Sequence, residues 1–139
     1  MRLVVDTNVF ISACLGSRPA TSVLEACFTG RAEPVMGTAL LLEYEAVLGR
    51  EDLFRTSALR GSEREELLDI FLAQCRWVRI FYGWRPNLPD EGDNHLVELA
   101  VAAGNAAIVT RNLRDLQRMD LRFPGLRILS PESFLSSQP

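Results

Sequence analysis

The residues able to do chemistry in this chain are carboxylates, and they recur beside short apolar runs. Leu3-Val4-Val5 reads as a strand buried on both faces. It stops on Asp6, with Thr7 and Asn8 directly after it. In an open α/β sheet the carboxyl ends of strands open into the crevice where ligands sit. An acid buried there costs folding energy unless something pairs with it. Capping of a helix beginning near Val9 would account for one polar residue, but leaves the pair Asp6 and Asn8 less explained. Further on, Glu43 and Glu45 flank the apolar face of a helical stretch. Asp90, Glu91 and Asp93 crowd a loop that leads into the Leu96 helix. Asp115 follows a second polar-ended strand, Ile108-Val109-Thr110, with Asn112 between.

Taken singly, each acid has a plainer explanation. On a helical wheel Glu43 neighbours Ala39, Ala46 and Val47, whereas Glu45 neighbours Leu41 and Leu48. Periodicity does not choose between them, although the alanines beside Glu43 leave more room for a ligand. A solvated helix flank accounts for either, and for Glu45 better. Asp93 lies three and four residues before Leu96 and Val97, where an N-cap would sit. Asp115 suits the first turn of a helix, where the dipole favours an acid. Together the acids say more. Carboxylates near the tips of neighbouring strands converge, and like charges held together need a cation. Oxygen ligands without cysteine or histidine suit Mg²⁺ or Mn²⁺ rather than zinc. Such a site activates water and stabilises the leaving oxygen in phosphodiester hydrolysis.

The elements that must position these acids alternate between strand and helix. After the first strand the pattern predicts a short helix to Leu15, interrupted by Gly16-Ser17-Arg18-Pro19, and a second from Thr21 to Phe28 closed by Gly30. Pro34-Val35-Met36 is a short strand, and Ala39 to Leu48 a helix with Leu40, Leu41, Tyr44, Val47 and Leu48 on one face. Glu51 to Leu59 is a short helix or irregular segment. Ser62 with Glu65 resembles a capping box for a helix through Leu67, Leu68, Phe71 and Leu72. Trp77 to Phe81 reads as a strand and Gly83 to Gly92 as a loop. Asp93 or Asn94 caps a helix stopped by Gly104. Ala107 to Thr110 is a second buried strand. A helix from Leu113 to Met119, a strand from Leu126 to Leu129 and a turn from Pro131 follow. This alternation predicts a parallel sheet covered on both faces, in one α/β domain over residues 1–139.

Composition narrows the function. With 139 residues, 47% hydrophobic and 24% charged, the chain can bury a real core. No apolar run reaches membrane-spanning length, and no signal-peptide pattern is present, so a cytoplasmic location is expected. A net charge of −3 argues against a non-specific nucleic-acid coat. All basic residues are arginine, which excludes Schiff-base chemistry and Walker-type phosphate loops. One histidine, His95, excludes a multi-histidine metal site, and no nucleophile elbow accompanies it. Cys14, Cys27 and Cys75 read as reduced core residues rather than a disulfide frame or zinc site.

Four segments carry a resemblance. They are Val4-Val5-Asp6-Thr7-Asn8-Val9-Phe10-Ile11-Ser12-Ala13, Leu42-Glu43-Tyr44-Glu45-Ala46-Val47-Leu48, Asp93-Asn94-His95-Leu96-Val97-Glu98-Leu99-Ala100 and Ile108-Val109-Thr110-Arg111-Asn112-Leu113-Arg114-Asp115-Leu116. In this order they resemble the PIN-domain family of small metal-dependent ribonucleases. They look closest to the VapC-like branch, toxin components of bacterial toxin-antitoxin pairs. The first and last segments are fairly specific; the middle two are weak alone. The resemblance implies a Rossmann-like, three-layer PIN fold with metal ligands Asp6, Glu43 and Asp93. It favours Glu43 over Glu45, gives Asn8 a positioning role, and sets Thr110 beside the site. It also implies an RNA substrate, an antitoxin protein as partner and the homodimer that the family often forms.

One departure stands out: many family members have an aspartate two residues after the strand-end threonine, where this chain has Asn112. Asp115 is the nearest replacement, through an outer-shell or water-mediated role, completing the expected set Asp6, Glu43, Asp93 and Asp115. Arg111, Arg114 and Arg118 surround the same corner, Arg85 lies in the loop before Asp93, and their forks suit phosphate oxygens; surface arginines, or partners for nearby acids, explain each equally well. Asn112 also motivates a rival reading, a catalytically weak PIN-like module that binds RNA or protein. A phosphatase of the haloacid dehalogenase type would need an acid where Asn8 stands, and usually a lysine.

Overall fold

The computed structural model describes residues 1–79, 94–117 and 126–138, with Asn94, Asp115 and Gln117 in backbone only. The chain runs β1 (Arg2–Val5), α1 (Thr7–Cys14), α2 (Arg18–Phe28), β2 (Glu33–Met36), α3 (Thr38–Leu48), a 3₁₀ turn (Glu51–Phe54), α4 (Gly61–Gln74) and β3 (Arg76–Trp77). It continues through α5 (Asn94–Ala102), β4 (Ala107–Val109), α6 (Leu113–Gln117), β5 (Ile128–Leu129) and α7 (Pro131–Ser136). The strands form one sheet in the order β3-β2-β1-β4-β5, every pairing parallel. Parallel neighbours need crossovers, which the intervening helices supply. The chain first builds outward from β1 through β2 to β3, then returns through α5 to lay β4 on the other side of β1. That reversal puts the switch point between β1 and β4, where α/β sheets open a binding crevice.

Central strands here are apolar throughout because both faces are covered. Leu3, Val4, Val5, Ile108 and Val109 are all but fully buried. Beneath α1, α3 and α4, Phe10, Tyr44 and Phe71 form an aromatic cluster with ring centroids 5.4–5.8 Å apart. Burying a phenylalanine in this way contributes about 1.5–3 kcal/mol.

Several boundaries differ from the sequence expectation, each for a local reason. α1 starts at Thr7 directly after Asp6, not near Val9, and neither Thr7 nor Asn8 caps it; Asp6 holds the N-cap position without a side-chain cap bond. Gly16 turns the chain at φ 97°, a conformation that suits glycine. Ser17 then caps α2 by accepting from Ala20 N–H at 3.4 Å. With Pro19 in the first turn, Ser17 to Pro19 open α2 rather than interrupting the chain. The pairing of Ser62 with Glu65 gives way to half a box two residues earlier, since the Arg60 side chain has no acceptor to offer. Glu63 accepts from Arg60 N–H at 2.8 Å, and α4 begins at Gly61.

The expected strand Trp77–Phe81 is Arg76–Trp77 in the structure, extended by Val78 N–H donating to the Met36 carbonyl at 2.9 Å. Ile80 and Phe81 lie outside the described residues. The expected turn from Pro131 is a helix, capped by Ser130 through Ser133 N–H. Arg64, a charged residue on α4, is buried. Its guanidinium sits 4.1 Å above the Phe54 ring and donates to Glu51 at 2.9 Å and to the Leu59 carbonyl at 3.1 Å, tying the 3₁₀ turn to α4.

Candidate functional site

The site forms where β1 and β4 end side by side. Leu3, Val4 and Val5 pair with Ala107, Ile108 and Val109, so the residues that follow, Asp6 and Thr110, leave the sheet together. Asp6 N–H continues the ladder to the Val109 carbonyl at 3.0 Å. Its carboxylate, only 5% exposed, is held on one oxygen: Oδ2 accepts from Thr110 Oγ1 at 2.8 Å and from Asn8 Nδ2 at 3.2 Å. Thr110 is committed to this geometry. Its oxygen accepts from Asn112 N–H at 2.9 Å and Asn8 Nδ2 at 3.3 Å, leaving its proton for Asp6. Asn8 closes the arrangement by accepting from Arg111 N–H at 3.1 Å through Oδ1. Asn8 thus ties the first turn of α1 to the end of β4.

The other Asp6 oxygen faces Glu43 across Thr7. The Thr7 hydroxyl lies 3.5 Å from Asp6 Oδ1 and 3.4 Å from Glu43 Oε1. One hydroxyl has one proton, so two carboxylates share a single long donor. Burial, the largest cause, and the Glu43 charge raise the Asp6 carboxyl above its usual range, against the hydrogen bond from Thr110. The buried Oε2 of Glu43 lies 2.9 Å from His95 Nε2 on α5. The donor set therefore fits a hard divalent cation, with two oxygen ligands and like charge to neutralise.

Tyr44 fixes which face of α3 reaches this pair. Its buried hydroxyl donates to the Val5 carbonyl at 2.7 Å, one residue before Asp6. With Tyr44 pinned there, the preceding Glu43 turns to the strand tip while Glu45 is exposed.

Residues 2–114 match the PIN domain family. The chain belongs to the PIN domain family. The match takes in β1, α3, α5, β4 and Thr110. The PIN fold is shared with one chain of the crystal structure of VapBC2 from Rickettsia felis bound to a DNA fragment from their promoter. That likeness has a TM-score of 0.59 at 16% identity and covers 94% of this chain and 98% of that one. No curated protein matches the chain.

Within this PIN domain, Asp6, Asn8, Glu43 and Thr110 come together, and Asn112 joins them through its backbone. Asp93, Arg85 and the side chain of Asp115 lie outside the described residues, as does Arg118. Among the described residues no three His, Cys, Asp or Glu side chains cluster to hold an ion. Arg111 is engaged: it donates to both Glu132 oxygens at 3.3 and 3.0 Å and to Ser17 Oγ at 2.8 Å. Arg114 is exposed. The sequence offers Thr7 only as a helix cap and His95 only as a lone histidine. The available signal for His95 was its place in the sequence two residues after Asp93.

Among the described residues no helix is long and apolar enough to cross a membrane.

Proposed function

We propose that this PIN-domain protein is a divalent-metal-dependent endoribonuclease and the toxin of a bacterial toxin-antitoxin pair, acting in the cytoplasm as a homodimer. The observation that carries the reading is the buried Asp6 carboxylate facing Glu43 across the single Thr7 proton. Asp6 and Glu43 would hold Mg²⁺ or Mn²⁺, joined by Asp93 from the approach to α5 and, through a longer reach, Asp115 on α6. Such an ion, when bound, lowers the pKa of water and neutralises charge at the phosphoryl oxygens. The chain's own residues do the positioning. Thr110 and Asn8 fix Oδ2 of Asp6, which turns Oδ1 toward Glu43, and His95 Nε2 lies 2.9 Å from Oε2 of Glu43. Arg114, with Arg85, would meet RNA phosphates. Arg111 has both terminal nitrogens on Glu132 and Ser17, which leaves Nε for a phosphate. The toxin reading draws support from the shared fold of the VapBC2 chain.

RNA cleavage measured with and without Mg²⁺ or Mn²⁺ tests the assignment. Cleavage should require metal and fall by two orders of magnitude or more in Asp6→Asn, the scale of losing a preorganised charge-stabilising group. Equal rates in variant and parent would overturn it. Asn112, standing where an acid ligand is expected, favours a second reading as a catalytically weak module that binds RNA or protein. Calorimetric titration with Mn²⁺ separates the two, since absence of binding at millimolar metal supports the module.

A further inference from the structure

We propose that Arg111 and Glu132 form a brace that positions the Asp6 carboxylate from outside the site, acting through Asn8. The role rests on the reading of Asp6 and Glu43 as ligands of a divalent ion. It extends that reading to positioning residues in the bend after β4 and on α7.

Asn8 is the link. Its Nδ2 carries two protons, and both point into the site, to Asp6 Oδ2 at 3.2 Å and Thr110 Oγ1 at 3.3 Å. Its Oδ1 accepts from the main-chain N–H of Arg111 at 3.1 Å. That N–H sets the polarity of the amide. With the Asn8 amide turned over, the Arg111 N–H would meet an NH₂ group and Oδ1 would face the Asp6 carboxylate. Both contacts would set like poles against each other. The position of one backbone group at residue 111 therefore decides whether Asn8 donates to Asp6.

Residue 111 lies in a bend between β4 and α6, beyond the ladder that carries Thr110 N–H to the Leu129 carbonyl. Its own side chain anchors that bend. Nη1 donates to both oxygens of Glu132, in the first turn of α7, at 3.3 and 3.0 Å. Nη2 donates at 2.8 Å to Oγ of Ser17, the residue that caps α2. One residue is thus tied to α1, α2 and α7 across 103, 94 and 21 positions of sequence. α2 and α7 pack on each other, and Phe134 of α7 is fully buried, so the anchor points belong to the core frame. The Glu132 main-chain N–H and the Arg111 guanidinium hold the Glu132 carboxyl below its usual range, which keeps the pair charged at neutral pH. An ordinary surface ion pair is the plainer alternative. With side chains 33% and 56% exposed, such a pair adds little to stability. The Arg111 N–H on Asn8 gives this one a consequence at Asp6 instead.

The test uses the full chain. Calorimetry measures Mn²⁺ affinity, and NMR of the metal-free protein follows the Asn8 side-chain amide signals and the hydrogen exchange of the Arg111 N–H. Glu132→Ala and Arg111→Gln should each weaken Mn²⁺ binding about tenfold, the lower end of the loss when a ligand's supporting partner is removed. Long-range charge alone would give opposite signs, because one variant removes an acid and the other a cation. The double variant should lose no more than either single one, as expected of residues that share one interaction. In both single variants the Asn8 protons should shift and the Arg111 N–H exchange faster, with little change in melting temperature. Opposite signs, or unchanged Asn8 signals together with unchanged Mn²⁺ affinity, overturn the proposal. A phosphate contact alone would overturn it too, and has its own pattern: a labelled oligouridylate in chelator binds more weakly to Arg111→Gln and more tightly to Glu132→Ala, while Mn²⁺ affinity stays constant. A parent that binds no Mn²⁺ at millimolar concentration removes the metal reading, and the NMR signals then decide the brace by themselves.

Discussion

The Asp6 carboxyl is buried beside Glu43, and the consequence is a pH dependence of the metal-free protein. Burial and the Glu43 charge raise the Asp6 carboxyl, while in the unfolded chain it titrates near its ordinary value of 3.8. Between those two values the folded protein keeps a proton that the unfolded chain has released. The stability contributed by this group is therefore present at low pH and is lost as pH rises through the raised value. Without metal, Asp6→Asn should melt at a higher temperature than the parent under mildly alkaline conditions. The gap should narrow as pH falls toward the ordinary carboxylate range. A scanning-calorimetry series across pH checks this; a gap that widens on acidification would contradict it. The thiols give a second prediction at this scale. Burial pushes Cys14 up to about 11 and Cys27 and Cys75 up to about 12. Since the thiolate is the reactive form, all three should resist iodoacetamide at neutral pH in the native protein and react together on unfolding, read by mass spectrometry.

Among the elements, α3 shows what sequence pattern does and does not carry. Its apolar stripe was legible, yet Glu43 and Glu45 both flank that stripe, so periodicity left two rotations of the site open. The rotation is set by Tyr44 donating to the Val5 carbonyl 39 residues away, a contact that no local pattern encodes. Tyr44→Phe removes that donor and strands a buried carbonyl. The cost should be about 1–3 kcal/mol in denaturant unfolding, with a loss of cleavage as Glu43 loosens. Asp6, Asn8 and Thr110 were easier to find, because polar residues ending buried β-branched runs mark a strand tip. His95 was harder, since a single histidine carries no spacing, and its neighbour Glu43 is on another helix. The cap of α4 was misplaced by two residues because Arg60-Gly-Ser-Glu63 and Ser62-Glu-Arg-Glu65 both offer a Glu at the third position. The Arg64 side chain, held by the Leu59 carbonyl, Glu51 and the Phe54 ring, ties the start at Gly61 to the 3₁₀ region. Arg64 went unread as a core residue because its burial depends on Phe54 and Glu51, which lie on a different element.

For the molecule as a whole, the alternation of strand and helix announced the parallel sheet. The strand order needed the structure, since which side of β1 receives β4 is a tertiary choice. The switch point created by that choice is where two carboxylates meet. An ion bound there should stabilise the folded chain against the unfolded one by about 2.7 kcal/mol at a hundredfold excess over its Kd. Mn²⁺ should accordingly raise the melting temperature of the parent and leave that of Asp6→Asn nearly unchanged. A shift of equal size in both would place the ion elsewhere.

The bond from Thr110 to Asp6 spans 104 residues, and this separation has a bearing on synthesis. A chain leaving the ribosome offers Asp6 among its first residues and Glu43 well before its middle. Thr110, which aims the Asp6 carboxylate, and β4, which forms one wall of the crevice, emerge only when about four-fifths of the 139 residues have been made. Pairings between distant segments form late, because the intervening loop must close first. The corner at Asp6 is therefore assembled near the end of synthesis, so a nascent or prematurely terminated chain lacks the carboxylate geometry that Thr110 sets.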